Sequence, residues 1–157
     1  MNLFYLSDQG DIIQANLTCT AGSASCSAGY TGIISTNAQH PVNASSGLAA
    51  VYGGPYFTWR VYYCDISGYL SELNGDDEWT SSVVGGKMLH GSSIAVALQP
   101  LYGLNVFYVD SFSQLLVSIV YQAGVGWGTR KFISVPYFLY FYYFVPCSLF
   151  LAGWRKE

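Results

Sequence analysis

"WRVYYCDISGYLSELNGDDEW", Trp59 to Trp79, reads as a strand, a tight turn, a second strand and a closing tryptophan. The turn is "DISG": Asp65 can bond back to the following backbone, and Gly68 can take the positive φ of a type I turn with a bulge. A loop of odd length puts Arg60 and Glu72 on one face of the hairpin, opposite each other or one diagonal apart. The stretch thus predicts a β-hairpin that holds a guanidinium beside a carboxylate.

The same pattern occurs three times. "NLFYLSDQGDIIQANL" from Asn2, "RVYYCDISGYLSELN" from Arg60 and "NVFYVDSFSQLLVSIV" from Asn105 each run from a polar residue through aromatics to a Ser/Asp turn and an apolar strand. Asn2 and Asn105 stand where Arg60 stands, and Gln14 and Val117 stand where Glu72 stands. A second element, "SGLAAV" from Ser46 and "SSIAVA" from Ser92, is rich in small and branched residues and suits a crowded inner strand. Gly47 recurs as Ser93 and Val61 as Val106, a period in the mid-forties. The first hairpin lies further off, which fits an insertion around "CTAGSASC" and "STNAQHPVNASS". Several strands per unit at that period predict β-propeller blades. One small sheet cannot bury both faces, whereas blades packed face to face can. The fold class is all-β: antiparallel blades of an incomplete propeller, about three repeats, with a hydrophobic C-terminal tail.

Charged residues make up 10% of the chain and aromatics 17%, against roughly 25% charged in average soluble chains. Part of the bias is local. "FISVPYFLYFYYFVPCSLFLAGW", Phe132 to Trp154, carries no formal charge and holds more than a third of the aromatic residues. The chain divides into blades over 1–129 and a tail over 130–157. Residues 132–154 are long enough for a membrane span, although Pro136 and Pro146 count against one. Translated non-coding sequence is the competing reading. A net charge of -3 without a basic stripe excludes nucleic acid as a partner. Cys19 and Cys26 flank "TAGSAS", a loop that a disulfide can close, and Asn16 and Asn43 begin glycosylation sequons. Together they point to an extracellular or cell-surface setting. No signal peptide precedes "NLFYL", so the start reads as truncated.

Arg60 and Glu72 are chemically suited to a sugar: the guanidinium is a rigid fork of donors, the carboxylate accepts from adjacent hydroxyls, and Trp79 can wall the C–H face of a ring. The plainer reading is a cross-strand salt bridge worth at most about 1 kcal/mol on a half-exposed sheet. The run from Trp59 to Trp79 resembles a blade of the fungal fucose-specific lectin family, in which an "RVYYQD-SG-LSE" type hairpin ends at a Trp. The resemblance implies a six-bladed propeller with fucose sites between neighbouring blades. It places Arg60 and Glu72 on the ring and hydroxyl oxygens of the sugar, with Trp79 completing the contacts. It covers roughly Asn2 to Trp127, and its motif is met in full once. The repeats at Asn2 and Asn105 lack both charges and are expected not to bind, and Cys64 replaces the polar residue usual before the Asp.

Nothing in the sequence supports catalysis or a cofactor. His40 and His90 lack metal-ligand partners at recognised spacing, and Asp76 to Glu78 lack the interleaving of a calcium loop. There is no phosphate-binding loop, nucleophile elbow or C-x-x-C. The sequence therefore predicts a non-catalytic lectin for L-fucose or fucosylated glycans. A non-binding structural or membrane-tethered propeller is the alternative. A propeller glycosidase, third, would need a second carboxylate facing Glu72.

Overall fold

A computed structural model describes residues 1–20, 22, 25–53, 58–75, 78–99 and 103–133. The described residues form strands and turns only. Blade I is β1 (Asn2–Leu6), β2 (Ile12–Cys19) and β3 (Cys26–Ile33). Blade II is β4 (Ala49–Gly53), β5 (Thr58–Cys64), β6 (Tyr69–Gly75) and β7 (Thr80–Lys87). Blade III is β8 (Ala95–Gln99), β9 (Gly103–Val109), β10 (Leu116–Gln122) and β11 (Gly126–Trp127), with β12 (Lys131–Phe132) also on β10. Every blade is an antiparallel meander in which neighbours in sequence are neighbours in the sheet, except that β12 returns to pair with β10. The three repeated hairpins are β1–β2, β5–β6 and β9–β10, and the two runs of small residues supply β4 and β8. Much of the extra length before the second hairpin lies in residues 34–48, which cross from blade I to blade II. Shorter residues 88–94 make the equivalent crossing to blade III. Val42 bridges to Asp65 and Met88 to Asp110, so each crossing docks on the turn of the next blade.

Blade II is buried on both faces, and the alternation of β5 explains how. Val61 and Tyr63 point to blade I and pack with Ile12, Ile34 and Leu73, joined by Phe4 and Trp79. Tyr62 and Cys64 point the other way, into a cluster with Leu70, Val106, Tyr108, Val117 and Ile119 of blades II and III. Side chains of this size contribute roughly 1.5–3 kcal/mol each when fully buried. Hydrogen bonds join the layers too: Tyr63 Oη donates to the His40 carbonyl at 2.7 Å, and Gly86 N–H donates to Tyr108 Oη at 3.0 Å. Near the inner strands, a Cβ on Gly47 would lie 3.0 Å from the Ser92 carbonyl oxygen and 3.2 Å from Ser93 Cα. A side chain there would force this backbone to give by a few tenths of an ångström, so glycine suits the close approach of the segments before β4 and β8.

The hairpin turns share one design. Asp65 accepts the N–H of Ser67 and of Tyr69 on Oδ1, and the Ser71 hydroxyl on Oδ2; Gly68 has φ +84°. Asp110 likewise accepts from Phe112 and Ser113, and its Oδ2 pairs with Arg130 at 3.0 Å. The third turn is one residue longer, closing from Asp110 to Leu115 rather than from Asp65 to Tyr69, with Gln114 at φ +56°. That residue moves the register. Ser118, not Val117, pairs with Phe107 as Glu72 pairs with Tyr62, while Val117 faces the core.

Strand pairing runs past residue 129: Lys131 and Phe132 pair with Ser118 and Val117. Apart from Phe132 and Ile133, the candidate span 132–154 lies outside the described residues, as do Asp76 and Asp77. Among the described residues no helix is long and apolar enough to cross a membrane.

Hydrogen bonds from Ser113 and Phe112 and the nearby Arg130 hold the Asp110 carboxyl below its ordinary value of 3.8, although burial opposes them. A folded pKa below the unfolded one supplies stability above about pH 4 that is lost as the pH falls through the lowered value. Asp110→Asn is expected to flatten that part of an acid-unfolding profile followed by circular dichroism, leaving the profile above pH 5 parallel to that of the parent protein.

Candidate functional site

Arg60 pairs across the hairpin with Asn74, and Tyr62 with Glu72, so Arg60 and Glu72 sit one diagonal apart on the face turned to blade III. They touch: Arg60 Nη1 donates to Glu72 Oε2 at 2.9 Å and to Oε1 at 3.2 Å. The pair is not on a half-exposed surface, since Arg60 is 3% and Glu72 4% exposed. Blade III covers it with aromatic rings. Tyr121 lies over the guanidinium, its centroid 4.8 Å from Cζ, a cation–π contact. Trp127 stands edge-on to Tyr62 at 6.0 Å and packs against Tyr121 at 5.3 Å.

Burial pushes the Glu72 carboxyl up, against the opposing pull of Arg60. Burial also acts to lower the Arg60 value, but Glu72 and Tyr62 outweigh it and the guanidinium stays charged. Burial and the Glu72 charge drive the Tyr62 hydroxyl well above the ordinary phenol range, so it is a neutral donor. Arg60 Nε makes no hydrogen bond, and the Tyr62 hydroxyl lies close enough to Glu72 and Arg60 to interact with both without meeting either at full hydrogen-bond geometry. Nη1 alone holds Glu72, and part of the donor fork is unspent.

Trp79 does not join this pair. It belongs to the cluster on the opposite face of blade II and packs edge-on against Phe4 of blade I, centroids 6.1 Å apart. The tryptophan on the Arg60–Glu72 face is Trp127, which occupies in blade III the place that Trp79 occupies in blade II. A closing tryptophan looks back at the preceding blade, so the ring that serves a hairpin comes from the following repeat. The sequence signal for this was the recurrence of Trp79 as Trp127.

The same location between blades I and II carries different residues. Asn2, Gln14 and Asn16 hold the register of Arg60, Glu72 and Asn74, and with Trp59 and Trp79 they line an open cleft of about 540 Å³. On the outward face of blade III, the Ser118 hydroxyl meets Asn105 Oδ1 at 3.3 Å in place of the ion pair.

Cys19 and Cys26 face each other across β2 and β3 and are disulfide-bonded. Asn16 is exposed, whereas Asn43 is half-buried and its Oδ1 accepts the Ser45 N–H at 2.9 Å. Among the described residues, no group of three or more His, Cys, Asp or Glu side chains is placed to hold a metal ion.

No protein-family model matches this chain, and no curated protein matches it in sequence. Among solved structures, a triple arginine-to-alanine mutant of AofleA from Arthrobotrys oligospora superposes with a TM-score of 0.57 at 20% identity, over 85% of this chain and 37% of AofleA. The chain therefore spans little more than a third of the length of that protein. A fucose lectin from Kordia zhangzhouensis in complex with methyl-fucoside matches with a TM-score of 0.44 at 15% identity, over 80% of this chain and 94% of its own. The likeness to AofleA concerns the fold: antiparallel blades in the order described above.

Removing one member of a buried ion pair strands the other charge and costs about 3–5 kcal/mol, whereas replacing both by apolar groups of similar volume is often neutral. Arg60→Ala and Glu72→Ala are each expected to lose stability of that order in urea unfolding, and Arg60→Met with Glu72→Leu to lose much less than the sum.

Proposed function

We propose that this chain is a non-catalytic, carbohydrate-binding segment of a propeller lectin, and that L-fucose or a fucosylated glycan is its ligand at the junction of blades II and III. One observation carries the reading: a buried guanidinium–carboxylate pair between blades, with Arg60 Nε left without a partner. Buried polar groups are nearly always satisfied, and a buried donor left over beside a carboxylate is what a bound polyol would complete. Glu72 would accept from adjacent hydroxyls and the free edge of Arg60 would donate to ring or hydroxyl oxygens. Trp127 takes the wall role that the sequence assigned to Trp79. Tyr121 lies where a ring would approach the guanidinium, so entry requires its rotation. The Cys19–Cys26 disulfide supports an oxidising, extracellular setting.

The burial of the pair beneath Tyr121 favours a second reading, in which the ion pair ties blade II to blade III and binds nothing. Titration of L-fucose into the full chain, followed by tryptophan fluorescence, separates them. Binding predicts a saturable change that Arg60→Lys and Glu72→Gln weaken by about tenfold or more, with near-UV circular dichroism unchanged. No response from folded protein, or one equal in both variants, leaves the structural tie.

A further inference from the structure

The Asp65 and Asp110 turns lie at the same end of the strands, and both carry large apolar side chains out into solvent. Phe112 is 98% exposed and Ile66 65%. Neither turn is loose: Asp110 accepts the N–H groups of Phe112 and Ser113, and Asp65 those of Ser67 and Tyr69, so each tip is fixed where it stands. The crossing 88–94 joins the two tips into one surface. Met88 N–H donates to the Gly68 carbonyl and Leu89 N–H to the Val109 carbonyl, which sets the exposed Leu89 between the turns. Leu115 and Leu116, also exposed, extend the surface beyond the Asp110 turn. An aromatic ring left in water on a rigid turn gains nothing from burial in the fold, and apolar side chains gathered around it mark a surface that meets something apolar.

The course of the chain indicates what that is. β12 runs antiparallel to β10, toward the turn end: Lys131 pairs with Ser118, Phe132 with Val117, and Ile133 N–H donates to the Leu116 carbonyl. The described chain therefore ends beside the apolar tips. From Phe132 to Trp154 the sequence carries no formal charge and is long enough to cross a bilayer. Lys87 and Lys131, both exposed, stand just behind the tips, Lys87 with its ammonium 5.5 Å from the centre of the Tyr69 ring. Cations set back from an apolar edge match the headgroup level of a membrane. The blade I turn carries Asp8 and Asp11 and stays outside the contact. We propose that the turn end of blades II and III rests on a phospholipid bilayer, with the Phe112 and Ile66 tips in the interface, Lys87 and Lys131 at the headgroups, and the uncharged segment entering the same membrane. Arg60, Tyr121 and Trp127 lie at the opposite end of the strands, so the proposal is independent of the sugar reading and leaves that junction facing away from the bilayer.

Methyl-labelled full chain in nanodiscs of phosphatidylcholine and phosphatidylserine, doped with phosphatidylcholine that carries a nitroxide near the top of its acyl chain, tests this by paramagnetic broadening. The Ile66, Leu89 and Leu115 methyl signals are expected to lose most of their intensity. Those of Leu98 and Val125, exposed apolar side chains at the opposite end, are expected to keep theirs. Phe112→Ser combined with Ile66→Ser should restore the Leu89 and Leu115 signals while near-UV circular dichroism stays unchanged, because both replaced side chains are exposed. Ile66, Leu89 and Leu115 signals that survive the nitroxide, as they would if the tips met another protein or the chain's own tail, would overturn the assignment. So would equal broadening at Leu98 and Val125, or broadening of Leu89 and Leu115 that persists in the double variant.

Discussion

Two-sided burial of blade II is the constraint on which the rest depends. A four-stranded sheet of this size has two faces and too few residues to cover them alone, so each face must find a neighbour. The alternation along β5 divides the labour: Val61 and Tyr63 fasten blade I, and Tyr62 and Cys64 fasten blade III. Once those faces are committed, the polar residues at the outer ends of the same strands are carried into the junctions. Arg60 and Glu72 are buried because they continue the Tyr62 face. Gln14 is nearly buried because it continues the Ile12 face. Function, on this account, grows from what the packing rule leaves at the margins of the junctions.

The two junctions resolve the same geometry differently. Between blades II and III a charged pair is closed over by Tyr121 and Trp127, and its electrostatics are those of a low-dielectric interior: the carboxyl is pushed up by burial while the guanidinium stays charged. Between blades I and II neutral amides meet two indoles across open space. One junction combines strong groups with restricted entry, and the other weaker groups with free entry. The difference follows from a few side chains at equivalent registers.

Much of this was legible in the sequence because repeated hairpins expose their own logic. The aromatic runs, the Asp turns with Gly68, and the small inner strands at Gly47 and Ser93 each recur, and their spacing is set by local geometry. That Arg60 and Glu72 share a face follows from turn length, and the register of the hairpin then selects the diagonal over the directly opposed placement. What escaped is what depends on the third dimension. Proximity in sequence assigned Trp79 to the pair, whereas the ring on that face is Trp127 of the next blade. One extra residue in the Asp110 turn, absorbed by Gln114, shifted Val117 out of the Glu72 register and put Ser118 there. Burial of the pair could not be read either, since it depends on Tyr121, a residue of no special pattern.

The proposed sugar would complete the donor that Arg60 leaves over at the junction of blades II and III. The most direct measurement follows the side-chain N–H signals of Arg60 and the tryptophan indoles by protein-observed NMR as L-fucose is added. Binding at this junction predicts saturable shifts at Arg60 Nε–H and at the Trp127 indole. Unmoved signals at both positions, at fucose concentrations far above those of the protein, would contradict it.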